Sequence, residues 1–267
     1  MMKPPEAGDL TDLTVPEIKE YIHKKEKLTP REENLLKNDR RKAVQQLYKS
    51  YQRQEKEDLV NRHNFFQRSW KELSLQEKGY KFLAGVDEVG RGPLAGPLVA
   101  AAVVLDWSEM REENCWYEVN DSKKLSPRKR EQLYQLIISY AISIGLGVVE
   151  PWLIDRINVY QASLEAMKKA VQQIYPLPQY LLTDGFAIPQ FQGVPQEAVK
   201  GGDAKCISIA AASIVAKVTR DKLMEQYDKK CPGYGFDRNK GYPTAEHKEA
   251  LRLLGPSYLH RRSFNLT

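Results

Sequence analysis

Cysteine is scarce in this chain of 267 residues, and long apolar runs are missing. The three cysteines, Cys115, Cys206 and Cys231, lie far apart and form no CxxC pair, which argues against a disulfide framework and against a zinc site. The longest apolar stretch, at residues 97–105, is too short to span a bilayer, and the N-terminus lacks the apolar segment of a secretory signal. We therefore expect reduced thiols, a cytoplasmic location and no contact with a membrane.

Acidic residues are outnumbered by basic ones. The formal net charge is +6, because 41 Lys and Arg face 35 Asp and Glu. Between Lys217 and Arg262 the sequence holds eleven basic and six acidic residues, so much of the excess lies near the C-terminus. A positive charge of this kind favours a polyanionic partner such as nucleic acid, although charge alone is a weak indicator.

The first 78 residues carry helical signals and no strand signals. Thr14-Val-Pro-Glu17 and Thr29-Pro-Arg-Glu32 match the Thr-x-x-Glu capping box, with proline in the first turn. From residue 44 to 78 the chain is charged and free of helix breakers, a pattern compatible with one long helix. Four aromatic and basic residues in this stretch are open to two interpretations, docking onto the rest of the protein or binding nucleic acid: Phe65, Phe66, Arg68 and Trp70.

At Gly79 the pattern changes from helices alone to strands and helices. Short apolar segments predict strands at 81–88, 97–105, 142–150 and 179–185. Helices are predicted after Ser126, around 164–174, around 207–218 and after Thr244. Strands first, then strands alternating with helices, indicate an α/β domain with a mixed sheet and helices on its faces.

Four acidic residues stand at the ends of predicted elements. Asp87 and Glu88 end the first strand. Asp184 ends the fourth strand, and Asp203 precedes a helix. A rigid scaffold can aim such side chains into one cleft, where their repulsion requires neutralisation by cations or protons, and hard divalent ions prefer oxygen ligands. The residues alone leave open a simpler interpretation, in which Asp184 lies in a turn and Asp203 caps a helix.

Five segments closely resemble bacterial ribonuclease HII, the type 2 ribonuclease H, and occur in that family's order: AGVDEVGRGPLAGPLVAAAVVL, NDSKKLS, LLTDG, VKGGDAKCISIAAASIVAKVTRD and PGYGFDRNKGYPTAEH. The resemblance covers about residues 80–264. It implies an α/β, ribonuclease H-like mixed sheet flanked by helices. The expected domains are a helical N-terminal extension at 1–78 and a catalytic domain at 79–267 that ends in C-terminal helices.

The resemblance also implies an activity. The enzyme would be a metal-dependent endonuclease that hydrolyses the RNA strand of RNA–DNA hybrids. It would also cut duplex DNA on the 5′ side of a single embedded ribonucleotide, leaving 3′-hydroxyl and 5′-phosphate ends. By family likeness, two Mg²⁺ or Mn²⁺ ions would be held by the four catalytic acids, which are Asp87, Glu88, Asp184 and Asp203.

Substrate contacts follow from the same resemblance. The backbone of Gly90, Arg91 and Gly92 would read the ribose 2′-hydroxyl, because glycine lets a backbone approach a sugar closely, and the Arg91 side chain would contact phosphate. Tyr242 would stack on the sugar that lies 3′ of the ribonucleotide. Lys123 and Lys124 would contact phosphates, although a solvated loop is the alternative for both. We expect the enzyme to act as a monomer.

Other functions and roles are kept beside this hypothesis. Ribonuclease HIII is the nearest rival, but there we expect Gly-Lys-Gly in place of Gly-Arg-Gly. A noncatalytic hybrid-binding protein would be favoured by the loss of an acid, and a transposase-like nuclease is disfavoured by the glycine turn.

We expect His247 to pack rather than to catalyse, since Leu251 and Leu254 share its helical face. Arg261 and Arg262 suit either a nucleic-acid surface or a charged tail.

Overall fold

The computed structural model describes residues 10–266, apart from residues 26, 111–113, 190 and 192. The side chain of Cys115, which carried one of the thiol predictions, lies outside the described residues. Cys206 and Cys231 are free thiols. Among the helices that the structure describes, none combines the length and the apolar character needed to cross a bilayer. The chain divides into two compact units between His63 and Asn64.

The first unit is helical. Its helices are α1 (Val15–Lys24), α2 (Pro30–Lys37) and most of α3 (Lys42–Arg68). Both predicted capping boxes are present, since Glu17 and Glu32 accept the backbone N–H groups of Thr14 and Thr29 at 2.7 Å. The apolar faces of these helices enclose one small core, formed by Leu10, Ile18, Tyr21, Leu28, Leu36, Val44 and Tyr48.

The second unit contains a five-stranded sheet and seven of the described helices. The strands are β1 (Leu83–Val89), β2 (Leu98–Leu105), β3 (Ala141–Val149), β4 (Tyr180–Asp184) and β5 (Gln196–Val199). The helices are α4 (Trp70–Glu77), α5 (Trp107–Met110), α6 (Pro127–Tyr140), α7 (Pro151–Gln172), α8 (Ile207–Lys230), α9 (Phe236–Asn239) and α10 (Ala245–Leu254). Short 3₁₀ helices cover Asn114–Glu118 and Gly202–Ala204.

The sheet is mixed, as predicted, with the strand order β3-β2-β1-β4-β5. β1 pairs antiparallel with β2, and β2 pairs antiparallel with β3. β4 lies parallel to β1 on its other side, and β5 lies parallel to β4. The carboxyl ends of β1 and β4 therefore meet at the same edge of the sheet, where Asp87 and Asp184 lie.

Two long helices cover the two faces of the sheet, and glycines let them approach closely. A Cβ atom on Gly147 of β3 would meet the Ala166 carbonyl oxygen of α7 at 1.8 Å. A Cβ atom on Gly85 of β1 would meet the Ser208 carbonyl carbon of α8 at 2.0 Å. A side chain at either position would therefore push a helix off the sheet. The all-apolar strand β2 is buried along its whole length between the two helical layers.

The predicted long helix is two helices, α3 and α4, which meet at Ser69. The buried Ser69 hydroxyl donates to the Phe65 carbonyl at 2.8 Å, a local bond that competes with the regular helical ladder. α4 then packs inside the second unit, because the fully buried carboxylate of Glu72 accepts the Ser208 N–H at 2.9 Å and the Ser208 hydroxyl at 2.8 Å. Glu72 thus caps the first turn of α8.

The aromatic and basic residues near this junction have different environments. Phe65 is buried and packs edge-on against Tyr117, with 5.0 Å between ring centroids. Arg68 donates to the backbone carbonyls of Val119 and Tyr117. These two residues therefore dock within the second unit, the simpler of the two interpretations. Phe66 and Trp70 are more than half exposed.

Candidate active site

Three of the predicted acids converge at the shared edge of β1 and β4. Each of Asp87, Asp184 and Asp203 places a carboxylate oxygen within 4.8 Å of one on the other two. Asp87 comes from β1, Asp184 is the last residue of β4, and Asp203 lies in the short 3₁₀ helix before α8. Asp184 also accepts the Gly202 N–H at 2.7 Å, so it fixes the loop that carries Asp203. The parallel pairing of β1 and β4 is what unites acids 97 residues apart in sequence.

The electrostatics of this cluster are unfavourable without added positive charge. Burial, together with repulsion from Glu88 and Asp184, raises the pKa of Asp87 well above its usual range. Burial and the nearby Asp121 raise the pKa of Asp203, and Lys123 opposes this shift. Asp121 was not singled out in the sequence, although it lies in the same NDSKKLS segment as Lys123. Because burial and repulsion disfavour the charged forms of Asp87 and Asp203, a cation bound at this cluster would stabilise it.

Glu88 lies beside the three aspartates and faces Arg91. Its Oε1 is 3.3 Å from Arg91 Nη1, while its buried Oε2 has no hydrogen-bond partner among the described residues. Burial raises the pKa of Glu88, and Arg91 opposes this effect. The Arg91 guanidinium also lies over the ring of Phe186, 4.8 Å from its centroid. Arg91 is therefore held from two sides, yet its side chain remains 40% exposed.

Two buried serines lie near Asp87. The Ser213 hydroxyl, on α8, opposes the rise in the pKa of Asp87 and lies 2.9 Å from the Ser122 hydroxyl. Ser122 belongs to the segment that also carries Lys123 and Lys124. The two serines therefore connect the surroundings of Asp87 to the lysine-bearing loop. Sequence reasoning missed both serines, because neither a serine in an apolar helix nor one in a polar loop carries a signal of its partner.

The glycine turn after β1 rests on two fully buried arginines. Gly90 has φ = +94°, and a Cβ atom there would lie 2.4 Å from Nε of Arg220, so no other residue fits. Arg261 donates to the carbonyls of Gly90 at 2.6 Å, Arg91 at 3.0 Å and Gly96 at 2.9–3.1 Å. Arg261 therefore holds the turn through the carbonyl groups of the turn.

Arg220 supports the chain next to the turn. Its three nitrogens donate to the carbonyls of Pro97, Ala95 and Lys240 at 2.9, 3.2 and 2.9 Å. Burial lowers the pKa of Arg261 to about 9, with the Arg220 charge contributing in the same direction. Both arginines are 0% exposed, which corrects the expectation that Arg261 lies on a surface or in a charged tail. Arg262, its neighbour, is exposed.

Tyr242 lies against the glycine turn. A Cβ atom on Gly92 would be 3.9 Å from Cε1 of Tyr242, and the tyrosine is 41% exposed. The loop that carries Tyr242 is anchored by the Leu94 N–H, which donates to the Gly241 carbonyl at 2.8 Å. The turn and the tyrosine therefore form two sides of one open site.

The two lysines of the NDSKKLS segment have different positions. Lys123 Nζ is 3.5 Å from Asp203 Oδ2, and its side chain is 76% exposed. Burial lowers the pKa of Lys123, but the carboxylates of Asp203, Asp121 and Asp87 outweigh this effect and raise it. Lys124 is exposed next to it. Lys123 thus supplies positive charge beside the acids without closing the site.

His247 is fully buried and packs edge-on against Phe236, with 5.4 Å between ring centroids. It lies in the core of the C-terminal helices, as expected, and away from the group of three acids. Tyr234, which stacks on Phe236 at 5.3 Å, is also buried there. Both residues build the platform under the Tyr242 loop.

The acids fit hard divalent cations. Their ligand atoms are carboxylate oxygens, the donors that Mg²⁺ and Mn²⁺ prefer, and no histidine or cysteine belongs to the group that the described residues form. The unpaired Oε2 of Glu88 adds a buried acceptor beside the group. Three of the four predicted ligands therefore meet at one point, and the fourth lies next to it.

Comparisons with known proteins identify the family of this chain. The family model for ribonuclease HII matches residues 84–267, and the model for the ribonuclease HII N-terminal domain matches residues 14–76. A ribonuclease HII of Bacillus cereus is 48% identical over 86% of this chain and 87% of its own length. One of Bacillus subtilis is 42% identical over 96% of this chain and 97% of its own length.

A solved structure shares the fold. The crystal structure of ribonuclease H2 from Pyrococcus horikoshii is 29% identical, with a TM-score of 0.58 over 69% of this chain and 94% of that one. The two curated relatives, at 42–48% identity, are ribonucleases HII, which favours that family over the ribonuclease HIII alternative.

Proposed function

Because this chain belongs to the ribonuclease HII family, we propose that it hydrolyses the RNA strand of RNA–DNA hybrids and cuts duplex DNA 5′ of single embedded ribonucleotides. The products carry 3′-hydroxyl and 5′-phosphate ends, and the reaction serves the removal of ribonucleotides from DNA. The observation that carries the proposal is the meeting of three carboxylates beside a glycine turn that Tyr242 faces. Together these features combine phosphate chemistry with sugar recognition.

Asp87, Glu88, Asp184 and Asp203 would hold two Mg²⁺ or Mn²⁺ ions. When bound, such ions activate a water molecule and stabilise the leaving oxygen during displacement at phosphorus. Asp184 prepares this site by fixing the loop of Asp203. The chain thus positions the ligands before any ion arrives, which lowers the cost of assembling the site.

Sugar recognition is assigned to the glycine turn and to Tyr242. Arg261 binds the carbonyl groups of Gly90 and Arg91, so the N–H groups of the turn are left for a ribose 2′-hydroxyl, and the missing side chain at Gly92 leaves room for the sugar beside Tyr242. Tyr242 stacks on the next sugar, where a 2′-hydroxyl would crowd the ring. The enzyme therefore reads a junction between RNA and DNA by sugar chemistry rather than by base.

Three basic side chains contact the phosphate backbone. Arg91 is held by Glu88 and Phe186 and keeps its exposed edge for a phosphate. Lys123 and Lys124 approach from the opposite loop, and Lys123 also balances Asp203. These contacts supply affinity and register, without sequence information.

The proposed domains differ in function. The catalytic domain spans 79–267 and holds all the proposed site residues, while residues 1–78 form the helical extension. Residues 64–78 belong to the second compact unit, because Glu72 caps α8 and Phe65 packs on Tyr117. A truncation that tests the extension should therefore begin after residue 63 rather than after residue 78.

The test uses a duplex DNA with one ribonucleotide and a labelled strand. In Mg²⁺ or Mn²⁺ we expect a single cut on the 5′ side of the ribonucleotide, and a chelator should abolish it. The Asp184→Asn variant should lose turnover while it still binds the duplex, because the phosphate contacts lie elsewhere. Near-normal cleavage by Asp184→Asn at saturating Mg²⁺, or cleavage of all-DNA duplex at the same rate, would overturn the proposal.

A further inference from the structure

Two buried histidines connect the segment that supports the glycine turn to the loop of Tyr242. His260 pairs with Ala95 in an isolated antiparallel bridge, and Ala95 lies three residues after Gly92. The side chain of His260 points away from this bridge toward α10, where its Nε2 lies 3.0 Å from Nε2 of His247. His247 Nδ1 in turn lies 2.9 Å from the carbonyl oxygen of Tyr242.

The partners at the two ends of this row of hydrogen bonds determine which ring nitrogens of the two histidines carry a hydrogen. The Ser257 N–H can only donate, so Nδ1 of His260, 2.9 Å away, is an acceptor and Nε2 of His260 carries the hydrogen. The Tyr242 carbonyl can only accept, so Nδ1 of His247 carries a hydrogen and its Nε2 is bare. The contact between the rings is therefore a hydrogen bond that His260 Nε2–H donates to His247 Nε2. We call the row of bonds from Ser257 through His260 and His247 to the Tyr242 carbonyl the relay.

This arrangement requires both rings to be neutral. A second proton on His247 would set its Nε2–H against the Nε2–H of His260 at 3.0 Å. A second proton on His260 would set its Nδ1–H against the Ser257 N–H at 2.9 Å. Burial lowers the pKa of both histidines, that of His260 to about 4, with repulsion from His247 adding to the shift of His260. Tyr234 and Phe236 enclose the pair, with 4.9 Å between the Tyr234 and His260 ring centroids.

We propose that His260 and His247 are positioning residues, which hold the Tyr242 backbone at a set distance from the glycine turn and so determine the preference for a ribonucleotide–DNA junction. The inference rests on the sugar-reading role proposed above. The Tyr242 carbonyl accepts from His247 Nδ1 and from the Thr244 N–H at 2.8 Å. The preceding residues, Lys240 and Gly241, have left-handed backbone conformations with φ of 50° and 83°. Loss of the histidine bond would leave the Tyr242 carbonyl with the Thr244 N–H as its partner, a bond within the loop itself.

A matched pair of substitutions separates this role from simple packing. The side-chain oxygen of His260→Asn can replace the Nδ1 acceptor toward Ser257, but the shorter side chain cannot donate to His247. The amide nitrogen of His260→Gln can replace the Nε2 donor toward His247, but it loses the bond from Ser257. His260→Asn therefore loses one hydrogen bond, to His247, whereas His260→Gln loses the contacts of Nδ1 with the Ser257 N–H and the Ser257 hydroxyl. His260→Gln should thus lose at least as much thermal stability, although only His260→Asn breaks the bond to His247.

The readout is the ratio of single-turnover cleavage rates for a lone ribonucleotide in DNA and for a continuous RNA strand paired with DNA. We expect His260→Asn to lower this ratio roughly fivefold, the effect of one hydrogen bond. His260→Gln should stay within about twofold of the wild type by the same scale. An unchanged ratio in His260→Asn, or equal changes that follow the thermal midpoints of the two variants, would overturn the proposal.

Two further measurements keep the result unambiguous. Tyr242→Ala in the same assay tests the underlying function. If it changes the ratio and His260→Asn does not, the relay alone is wrong. If it leaves the ratio unchanged, the sugar-reading role itself fails.

Nitrogen-15 NMR of the wild-type protein tests the relay without catalysis. The chain has four histidines, and we expect His247 as the Nδ1–H tautomer and His260 as the Nε2–H tautomer near neutral pH. The opposite tautomers, or a charged ring, would contradict the relay.

Discussion

Two regions of the second unit contain buried charged side chains, and they differ in how many hydrogen bonds those side chains make. In the arginine region, every guanidinium nitrogen of Arg220 and Arg261 donates to a backbone carbonyl. In the acid region, three carboxylates lie within 4.8 Å of one another, and the neighbouring Glu88 keeps a buried oxygen without a partner among the described residues.

This difference distinguishes support from function. A buried charge with all its partners is part of the scaffold, because nothing remains for it to bind. A buried charge that lacks hydrogen-bond partners destabilises the folded state. Proteins keep such a charge where a bound ligand offsets the destabilisation. The arginines hold the turn to which we assign sugar recognition, and the acids keep the unmet charge that we assign to cation binding.

The largest effect should come from the acid region. Asp87→Asn should lower the cleavage rate by about 10²–10³-fold or more, as the loss of a group that stabilises transition-state charge does. The same substitution should raise the thermal midpoint in the absence of divalent ions, because it removes a buried charge that Glu88 and Asp184 repel. A single-turnover cleavage assay checks the first statement. Calorimetry with and without Mn²⁺ checks the second, since the ion should stabilise the wild type more than the variant. A variant that melts earlier and still cleaves would place Asp87 in the scaffold.

The arginine region should behave in the opposite way. Arg261→Met leaves the carbonyls of Gly90, Arg91 and Gly96 without a buried donor, so we expect a loss of about 3 kcal/mol of unfolding free energy, together with weaker cleavage. Arg262→Met is the matched control, because the adjacent side chain is exposed, and its stability should change by less than about 0.5 kcal/mol. Denaturant unfolding measures both. Equal stabilities for the two variants would contradict the supporting role of Arg261.

Glu72 is a third case to compare with the arginines and the acids, because it is a buried carboxylate that lies outside the site. One oxygen accepts from Ser208 and the other has no partner among the described residues, and burial raises its pKa. Glu72→Gln should therefore raise the free energy of unfolding at neutral pH, with cleavage unchanged, because it removes a charge that burial disfavours.

The pH dependence of this gain has a definite sign. A raised pKa means that the folded state binds the Glu72 proton more tightly than the unfolded state does, so the stability cost is present in full above the folded pKa and fades as the pH falls through it. The stability difference between Glu72→Gln and the wild type should accordingly shrink in acid. A variant that loses cleavage would instead assign Glu72 to the functional carboxylates.

Local patterns were sufficient for most of the elements. The capping boxes at Thr14 and Thr29, the four apolar strand segments and the mixed sheet were predicted from spacing and composition, because each depends on neighbours in sequence. β5 was missed, since the short segment QEAV has no apolar alternation and becomes a strand only by pairing with β4. The break between α3 and α4 was missed as well, because it depends on where Ser69 is buried.

The sequence by itself determined which residue types were available, namely four acids at element ends, a glycine turn and a tyrosine near a proline. Their convergence was decided by tertiary structure. The parallel pairing of β1 with β4 unites Asp87 and Asp184, and the return of the C-terminal segment brings Arg261 under Gly90 and His260 against His247. The physical reason is that hydrogen bonds to backbone carbonyls need only a donor at the right point in space. Such a donor can come from any position along the chain, so no local pattern in the sequence announces it.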